Sequence, residues 1–453
     1  MRPLITARYP ALGFPLFRRY WLASFASVGA TQLITLGQGW LIFELTGSAL
    51  QLGVLGAAAA APNILMTLVG GVIADRFDKR RILMCTSLVN SALLALLAFL
   101  DASGLVAVWH VLAVAALFSL ITGLDWPVRV SLYPRLVDRS AFMSAVALNS
   151  FIWQASRMAI PAAGGLIIAA TDTAVVFTLA AAGFFVMFVV MLVMPLAREP
   201  SQGGSAWGQV VEGMRFIRRE PLFRWLITAT FVGMFCSQSF NQIMPVFADL
   251  LDSGETGFGY LLSAGGVGSV VGTLLIGGVT RFRRLGVMML GAAGFAAATV
   301  MAFAALADAG SFALALAAIF VAALFNSVFM VSSMTAMQLR VPDRLRGRVM
   351  GIHSMGFSLM PLGGLLLGAV AERLGAAPAV WVGSGIYLAV IGWMAMARPV
   401  IRSLDGRRLA DEGGVPEHHD DLASGAADAA ALAPGDGNPA RVPQSIGREE
   451  ASR

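Results

Sequence analysis

Two charged residues fall inside long apolar runs. Arg157 stands in the middle of a run from 142 to 170, and Asp125 stands near the end of the preceding run. A charge within a membrane helix is costly and usually faces a cavity or an opposite charge. Asp125 is the only nearby acid in the sequence that could pair with Arg157. The two could form a structural salt bridge, or Arg157 could serve substrate or proton handling, and both interpretations remain open.

Amide side chains interrupt three other apolar runs. They are Gln32, Gln38, Gln238, Asn241, Gln242 and Asn326. Each could line a solute pathway, or it could hydrogen-bond one helix to another.

The sequence lacks the residues that several kinds of chemistry require. Lys79 is the only lysine, and no Gly-x-x-x-x-Gly-Lys-Ser/Thr loop surrounds it, so ATP hydrolysis by such a loop is excluded. Cys85 and Cys236 lie in apolar runs, and the four histidines have no metal-ligand spacing. We expect no catalytic residues, no metal site and no cofactor, and therefore no enzyme.

The composition predicts a membrane protein. The chain is 57% hydrophobic and 13% charged, whereas a soluble domain carries about a quarter charged residues. A membrane helix needs about 20 mostly apolar residues, and twelve runs meet that need. They lie near 20–43, 50–73, 82–100, 105–126, 142–170, 174–194, 222–248, 257–279, 285–307, 311–334, 349–370 and 377–397. We predict an all-α membrane protein with twelve transmembrane helices, numbered here as spans 1 to 12.

Basic residues mark one side of the membrane. Of the 29 Lys and Arg residues up to residue 408, alternate loops and the two termini hold 27, and the opposite loops hold only Arg373. By the positive-inside rule, both termini are cytoplasmic. We therefore predict a multi-pass membrane protein with both termini on the cytoplasmic side. The basic excess follows topology, so we expect no nucleic-acid partner.

The spans form two pseudo-symmetric halves of six helices. Residues 70–77 are echoed by 277–282, residues 136–139 by 341–344, and residues 161–165 by 361–364. Such repeats are characteristic of secondary transporters. The predicted organisation is an N-terminal half at 1–194, a cytoplasmic linker at 195–221, a C-terminal half at 222–404 and a tail at 405–453. The linker contains an amphipathic helix at 207–219, which is expected to lie on the membrane surface. The tail has no Phe, Trp or Tyr and is predicted to be disordered.

The loop after span 2 resembles a motif of the major facilitator superfamily. Residues 71–81 read Gly-Val-Ile-Ala-Asp-Arg-Phe-Asp-Lys-Arg-Arg. The resemblance implies a conformational latch between the halves, with Gly71 allowing close helix contact. The latch residues would be Asp75, Arg76, Lys79 and Arg80, together with Asp343, Arg346, Gly347 and Arg348 of the second half. Alternatively, the basic residues are only topological anchors. Asp78 departs from the motif, which has Gly there.

A segment of span 5 resembles the antiporter motif of the same superfamily. Pro161 bends the helix by removing a backbone donor, and Gly164 and Gly165 allow close packing on a neighbouring helix. The resemblance favours export over import. Ser156 and Ile160 stand where the motif usually has Gly, and ordinary helix packing is the alternative.

Three further segments make the resemblance to the superfamily more specific. They are residues 340–350, 16–21 and 212–216. They are similar to the branch that contains the enterobactin exporter and macrolide-efflux-like proteins, and the resemblance covers 14–400. It implies a multi-pass protein of the bacterial cytoplasmic (inner) membrane in which spans 1, 4, 7 and 10 face a central cavity.

The predicted function is secondary active transport. We expect a proton-driven exporter of a hydrophobic or amphipathic small molecule, such as a drug, siderophore or secreted metabolite, which works by alternating access. An importer or facilitator with the same fold is the alternative, and a non-transporting membrane scaffold is a distant one. The expected partners are the small-molecule substrate, protons and the lipid bilayer, and the expected state is a monomer.

Overall fold

A computed structural model describes residues 9–195, 206–277 and 283–408, and it leaves the side chains of 67–76, 126, 130, 131, 133, 134, 206–211 and 343 undescribed. The described chain is helical and contains no strand. The predicted disordered tail lies outside these residues from 409 onward.

Twelve spans run antiparallel along the chain, in agreement with the predicted fold class. They are span 1 (Pro15–Thr46), span 2 (Ala49–Arg76), span 3 (Lys79–Ala102), span 4 (Val108–Leu132), span 5 (Phe142–Ala170), span 6 (Thr173–Val193), span 7 (221–250), span 8 (Gly254–Leu275), span 9 (Leu285–Asp308), span 10 (Phe312–Arg340), span 11 (Asp343–Ser354 with Gly356–Leu374) and span 12 (Ala376–Ala397). A linker helix, Ala206–Arg219, joins spans 6 and 7. Ten of the described helices are long and apolar enough to cross a membrane.

Short connections and local caps separate the spans. Asp78 caps span 3 by accepting a hydrogen bond from the backbone N–H of Arg80, and Asp172 caps span 6 through Val175. Because the number of spans is even, the linker helix and both ends of the described chain lie at one end of the bundle. We call this the linker end and the opposite one the far end.

Span 7 departs from the single helix predicted for 222–248. An α-helix, Pro221–Val232, passes into a π-helical turn, Gly233–Ser237, and a 3-10 segment, Gln238–Ile243, before Met244–Leu250 resumes the α-helix. Pro245 has no N–H to donate to the carbonyl of Asn241, so the regular ladder cannot pass through this point. Single π turns are frequent at functional sites.

Other spans also extend past their predicted limits, and two of these extensions take charged residues into a helix. Span 4 continues one and a half turns beyond residue 126, to Leu132, and so takes Arg129 into the helix. Span 11 begins at Asp343 instead of near 349, which makes the basic segment between spans 10 and 11 helical. Charged first and last turns lie outside the apolar core of a membrane, so hydropathy alone ends these helices too early.

The described apolar core is divided unevenly between the two ends of the bundle. One cluster, at the far end, contains residues from both halves, such as Phe177 and Phe258. Two further clusters lie at the linker end, one made only from the N-terminal half and one only from the C-terminal half and the linker helix. Among the described residues, the halves therefore share a core at the far end and have separate cores at the linker end.

The linker helix packs on the C-terminal half. Ile217 is buried in that half's core, and Gly213 lies against Arg348 and Ile352 of span 11. Glu212 accepts hydrogen bonds from Arg348 and from Arg344, the latter at 3.2 Å. These protein contacts place one face of the helix on span 11, in addition to any membrane contact of the other face.

Candidate functional site

The far end is closed by two pairs of spans, each pair taking one span from each half. Spans 2 and 11 form the first pair, in which a Cβ on Gly53 would lie 2.7 Å from the carbonyl oxygen of Gly364. Gln242 of span 7 packs onto Gly364 and Gly56 in the same place. Glycine permits this because backbones approach closely only where side chains are absent.

Spans 5 and 8 form the second pair. A Cβ on Gly165 would lie 2.5 Å from the carbonyl of Glu255, and one on Gly259 would lie 2.5 Å from the carbonyl of Pro161. The backbone N–H of Ala162 donates to the Ser263 hydroxyl at 2.9 Å. Both halves are thus in backbone contact along a glycine-lined seam. Gly164 faces another way, toward Leu36 and Leu33 of span 1.

The rim of the far end carries a contact that the sequence analysis missed. Glu372 of span 11 accepts hydrogen bonds from the Ser48 hydroxyl at 3.0 Å and from the backbone N–H of Leu50 at 3.3 Å. A carboxylate is favourable at a helix N-terminus, where backbone N–H groups are unpaired. Glu372 therefore caps span 2 from across the halves. In the sequence it was only one of several acids in the loops opposite the basic ones.

Arg157 marks where the seam stops. Pro161, four residues later, has no N–H to bond the Arg157 carbonyl, and this carbonyl lies against Gly266 of span 8. Among the contacts between halves that the structure details, this one is nearest the linker end. The Arg157 side chain is nevertheless exposed. On the surface of span 5, Arg157 lies between two rows of residues. One row contacts span 1 (Ile160 and Gly164), and the other contacts span 8 (Pro161 and Gly165).

Several predicted lining residues share the depth of Arg157. Gln32, Gln238 and Asn326 each lie within three residues of the midpoint of their span, as Arg157 does, and all three are half-buried. We infer a cleft between the halves at this depth, because accessible polar groups in the middle of apolar spans are costly unless they face a cavity. The cleft is closed toward the far end by the seam, and the cores on its other side are separate.

The other predicted lining residues lie nearer the far end. Gln38 is buried, and its Nε2 has no hydrogen-bond partner among the described residues. Asn241 donates to the Gln238 carbonyl at 2.9 Å within the 3-10 segment of span 7, and Gln242 lies in the seam. Two aromatic residues of the same spans are core residues: Phe240 packs on Phe303, and Phe329 is buried in the C-terminal half.

The expected pairing of Asp125 with Arg157 is wrong. Asp125 accepts hydrogen bonds from the Thr86 hydroxyl and from Arg129, whose Nη2 lies 3.2 Å from Oδ2. Arg129 also donates to the Ser27 hydroxyl of span 1 at 3.1 Å. Because span 4 extends past 126, Arg129 lies one turn from Asp125 on the same helix face. No acidic side chain pairs with Arg157 in the described part of the chain.

Asp125 and its polar neighbours form a buried cluster within the N-terminal half. Asp125 is the only carboxylate buried among the described residues, and it links spans 1, 3 and 4 through its neighbours. Ser24, Ser87 and Asn90 of the same spans are also buried, with side-chain atoms that have no partner there. Sequence reasoning missed Thr86 and Ser27, and it assigned Arg129 to a loop.

The predicted latch residues are spread over several contacts. The side chains of Gly71, Asp75, Arg76 and Asp343 lie outside the described ones. Arg80 donates to the carbonyls of Met191 and Leu192 at the end of span 6, within one half. Arg348 pairs with Glu212, whereas Arg346 is exposed and nothing lies within 4 Å of a Cβ on Gly347. Lys79 begins span 3.

No group of three or more His, Cys, Asp or Glu residues that could hold a metal occurs among the described residues. The cleft offers amides, one guanidinium and apolar surface. These groups can bind and orient a solute.

The comparisons with known proteins agree with this architecture. Residues 6–419 match the model of a family described as transmembrane secretion effectors. Enterobactin exporters of Escherichia coli O1:K1 and of Shigella boydii serotype 18 are each 27% identical over 394 residues, which cover 83% of this chain and 90% of the relative.

Solved transporter structures share the fold. A mutant of the nucleoside transporter NupG superposes with a TM-score of 0.68 at 12% identity, covering 84% of this chain and all of that one. A bacterial homologue of the human lysosomal transporter Spinster, in an inward-facing and unoccupied conformation, gives 0.63 at 14% identity, with 88% and 98% covered. A bacterial homologue of ferroportin, in an inward-facing state, gives 0.63 at 14% identity, with 88% and 99% covered.

Proposed function

This chain belongs to the family of transmembrane secretion effectors, within the major facilitator superfamily, and is thus a multi-pass inner-membrane transporter; from that premise we propose that it is a proton-driven exporter of a hydrophobic or amphipathic small molecule. The observation that carries the proposal is the division of the core. The halves share a core at the far end and have separate cores at the linker end. This arrangement gives one of the two conformations that alternating access requires.

The direction of transport rests on the orientation of the chain. The basic residues gather at the linker end, so the positive-inside rule puts this end in the cytoplasm. The cleft then opens to the cytoplasm and is closed to the outside. An exporter loads its substrate in this state, and the resemblance of span 5 to the antiporter motif also favours export.

The substrate class follows from the groups at mid-depth. Arg157 is accessible and has no acidic partner among the described residues, and half-buried amides lie at the same depth. A guanidinium offers five donors in a planar fork that suits carboxylates and other oxygen-rich groups. We infer a substrate with such a group on a largely apolar body. A siderophore is one such molecule, and the curated relatives are enterobactin exporters.

Asp125 is the proposed proton carrier. Asp125 forms a buried ion pair with Arg129, and protonation of the Asp125 carboxylate would remove this ion pair. Arg129 also donates a hydrogen bond to Ser27 of span 1. Proton binding would therefore change the contacts among spans 1, 3 and 4, which meet at Asp125. In this way the protonation state can bias the two conformations of the N-terminal half.

We propose that the conformational latch acts in the other conformation of the transport cycle, in which the linker end is closed. Asp75 and Arg76 lie at the linker end of span 2, and the helix from Asp343 lies at the linker end of span 11. When the cleft closes at the linker end, these two segments approach each other, and the motif residues can pair across the halves.

A transport assay with vesicles of known sidedness tests the proposal. The substrate is first sought by comparing the secreted small molecules and the toxin sensitivity of a deletion strain with those of its parent. The labelled compound is then added to inverted vesicles, with and without a pH gradient in which the vesicle interior is acidic. We expect accumulation that depends on the gradient. Uptake only into right-side-out vesicles would identify an importer, and gradient-independent equilibration would identify a facilitator.

A further inference from the structure

Two arginines and two tryptophans form a cluster at the linker end of spans 7 and 12. The rings of Trp225 and Trp393 meet edge to face, with centroids 5.5 Å apart. The Arg398 guanidinium carbon lies 4.4 Å from the Trp225 ring centroid and 4.8 Å from that of Trp393. The Arg224 guanidinium carbon lies 5.1 Å from the Trp225 centroid. Two cations thus share one indole ring.

No acidic side chain in the described part of the chain compensates the charge of this cluster. Neither Arg224 nor Arg398 forms a salt bridge with a carboxylate in the described part of the chain. The Nε of Arg398 is buried without a hydrogen-bond partner there. Cation–π contacts stabilise a guanidinium but leave its N–H donors free. Arg224 is exposed and Arg398 is half-buried, so the cluster presents the positive charge and N–H donors of two guanidinium groups in one place at the surface.

The position of the cluster selects the kind of anion. Span 7 begins and span 12 ends at the linker end, which is the level where headgroups meet the protein, and Trp is enriched at that level. Trp393, Met396 and Val400 are exposed beside the cluster and offer an apolar surface to acyl chains. A free phosphate ion has no part that would use this surface, whereas a phospholipid has both parts.

We propose that Arg224 and Arg398 bind the headgroup phosphodiester of an anionic phospholipid, with Trp225 and Trp393 holding Arg398 in place and the acyl chains lying along span 12. Guanidinium groups bind phosphate oxygens with strong, often bidentate hydrogen bonds. A second nearby cation disfavours zwitterionic headgroups, because it repels their ammonium group. The site thus prefers phosphatidylglycerol to phosphatidylcholine.

Lipid binding to the delipidated full chain tests this site. Native mass spectrometry in detergent would count the lipids retained on titration with phosphatidylglycerol, phosphatidylcholine or inorganic phosphate. We expect one high-affinity phosphatidylglycerol, a weaker phosphatidylcholine adduct and no effect of phosphate. A basic residue near an anionic membrane surface contributes about 1 kcal/mol, so Arg398→Gln should weaken that first binding about fivefold.

Matched variants keep the result interpretable. Arg224→Gln should also weaken binding, whereas Arg81→Gln, which removes an exposed charge from the linker end of the other half, should leave it unchanged. Size-exclusion profiles would show that each variant is folded, and the Arg224 variant stands in if the Arg398 variant is not. Equal phosphatidylglycerol binding by parent, Arg224→Gln and Arg398→Gln would overturn the proposal. Displacement of the lipid by millimolar inorganic phosphate would overturn it as well.

Discussion

Asp125 and Arg129 face each other one turn apart on span 4, with Oδ2 and Nη2 separated by 3.2 Å and with only 5% and 13% of the two side chains accessible. Removing one member of a buried pair leaves an unpaired charge and costs about 3–5 kcal/mol. We expect Asp125→Asn and Arg129→Gln each to lower the melting temperature of the purified protein. The double variant should recover much of the loss, because it leaves no unpaired charge.

The matched control for this cycle combines Asp125→Asn with Arg157→Gln. These residues do not pair in the structure, so their effects should add. A pair of single variants as stable as the parent would contradict the buried ion pair. Recovery in the Arg157 combination instead of the Arg129 one would restore the pairing that the sequence suggested.

Arg157 should matter for transport and not for folding. Its side chain is exposed and has no acidic partner among the described residues, so Arg157→Gln should melt within a degree or two of the parent. Loss of the guanidinium from the cleft should lower kcat/KM at least tenfold, which corresponds to about 1.4 kcal/mol. Arg157→Lys keeps the charge but loses the planar fork, and it should change the substrate range. Arg139→Gln, an exposed arginine at the linker end, is the control and should transport normally.

A cross-link across the far end should stop the transport cycle. Ser48 and Glu372 belong to different halves and are hydrogen-bonded at 3.0 Å. In a chain with Cys85→Ser and Cys236→Ser, the pair Ser48→Cys and Glu372→Cys should be joined by a short bifunctional methanethiosulfonate reagent, which spans the gap left by the shorter side chain and is removed by reductant. Transport should then be lost and should return with reductant, because alternating access requires the far end to open.

The control cross-link lies within one half. Asp101 and Thr173 are hydrogen-bonded at the same end of the bundle, and both belong to the N-terminal half. The pair Asp101→Cys and Thr173→Cys should cross-link without loss of transport. Continued transport by the fully cross-linked Ser48–Glu372 variant would argue against opening at the far end.

Thiol labelling should report the orientation. Ser103 is exposed in the far-end loop after span 3, and Ser403 is exposed at the linker end after span 12. In the same cysteine-free chain, an impermeant maleimide added to intact spheroplasts should label Ser103→Cys and spare Ser403→Cys until the cells are opened. The reverse result would place both termini outside and would turn the open cleft outward.

Much of the architecture is predictable from the sequence, because it depends on properties that act along one dimension. Apolar length decides which segments cross the bilayer, and the arginine distribution decides which loops share a side. The repeat of Pro161 with Gly164-Gly165 in the second half indicated close packing of matching spans. These patterns can be recognised in the sequence without knowing which helices are neighbours.

Pairing and closure depended on the tertiary structure. Arg129 looked like a loop residue and Arg157 like the partner of Asp125, until the length and rotation of span 4 put Arg129 beside Asp125. The contact of Glu372 with Ser48 joins residues 324 positions apart, so no local pattern predicts it. In a membrane helix, the faces toward lipid and toward protein are both apolar, so hydrophobicity leaves the rotation of each span undetermined. Packing of backbones at glycines and pairing of the few charges determine that rotation, and both arise only when the twelve spans are assembled.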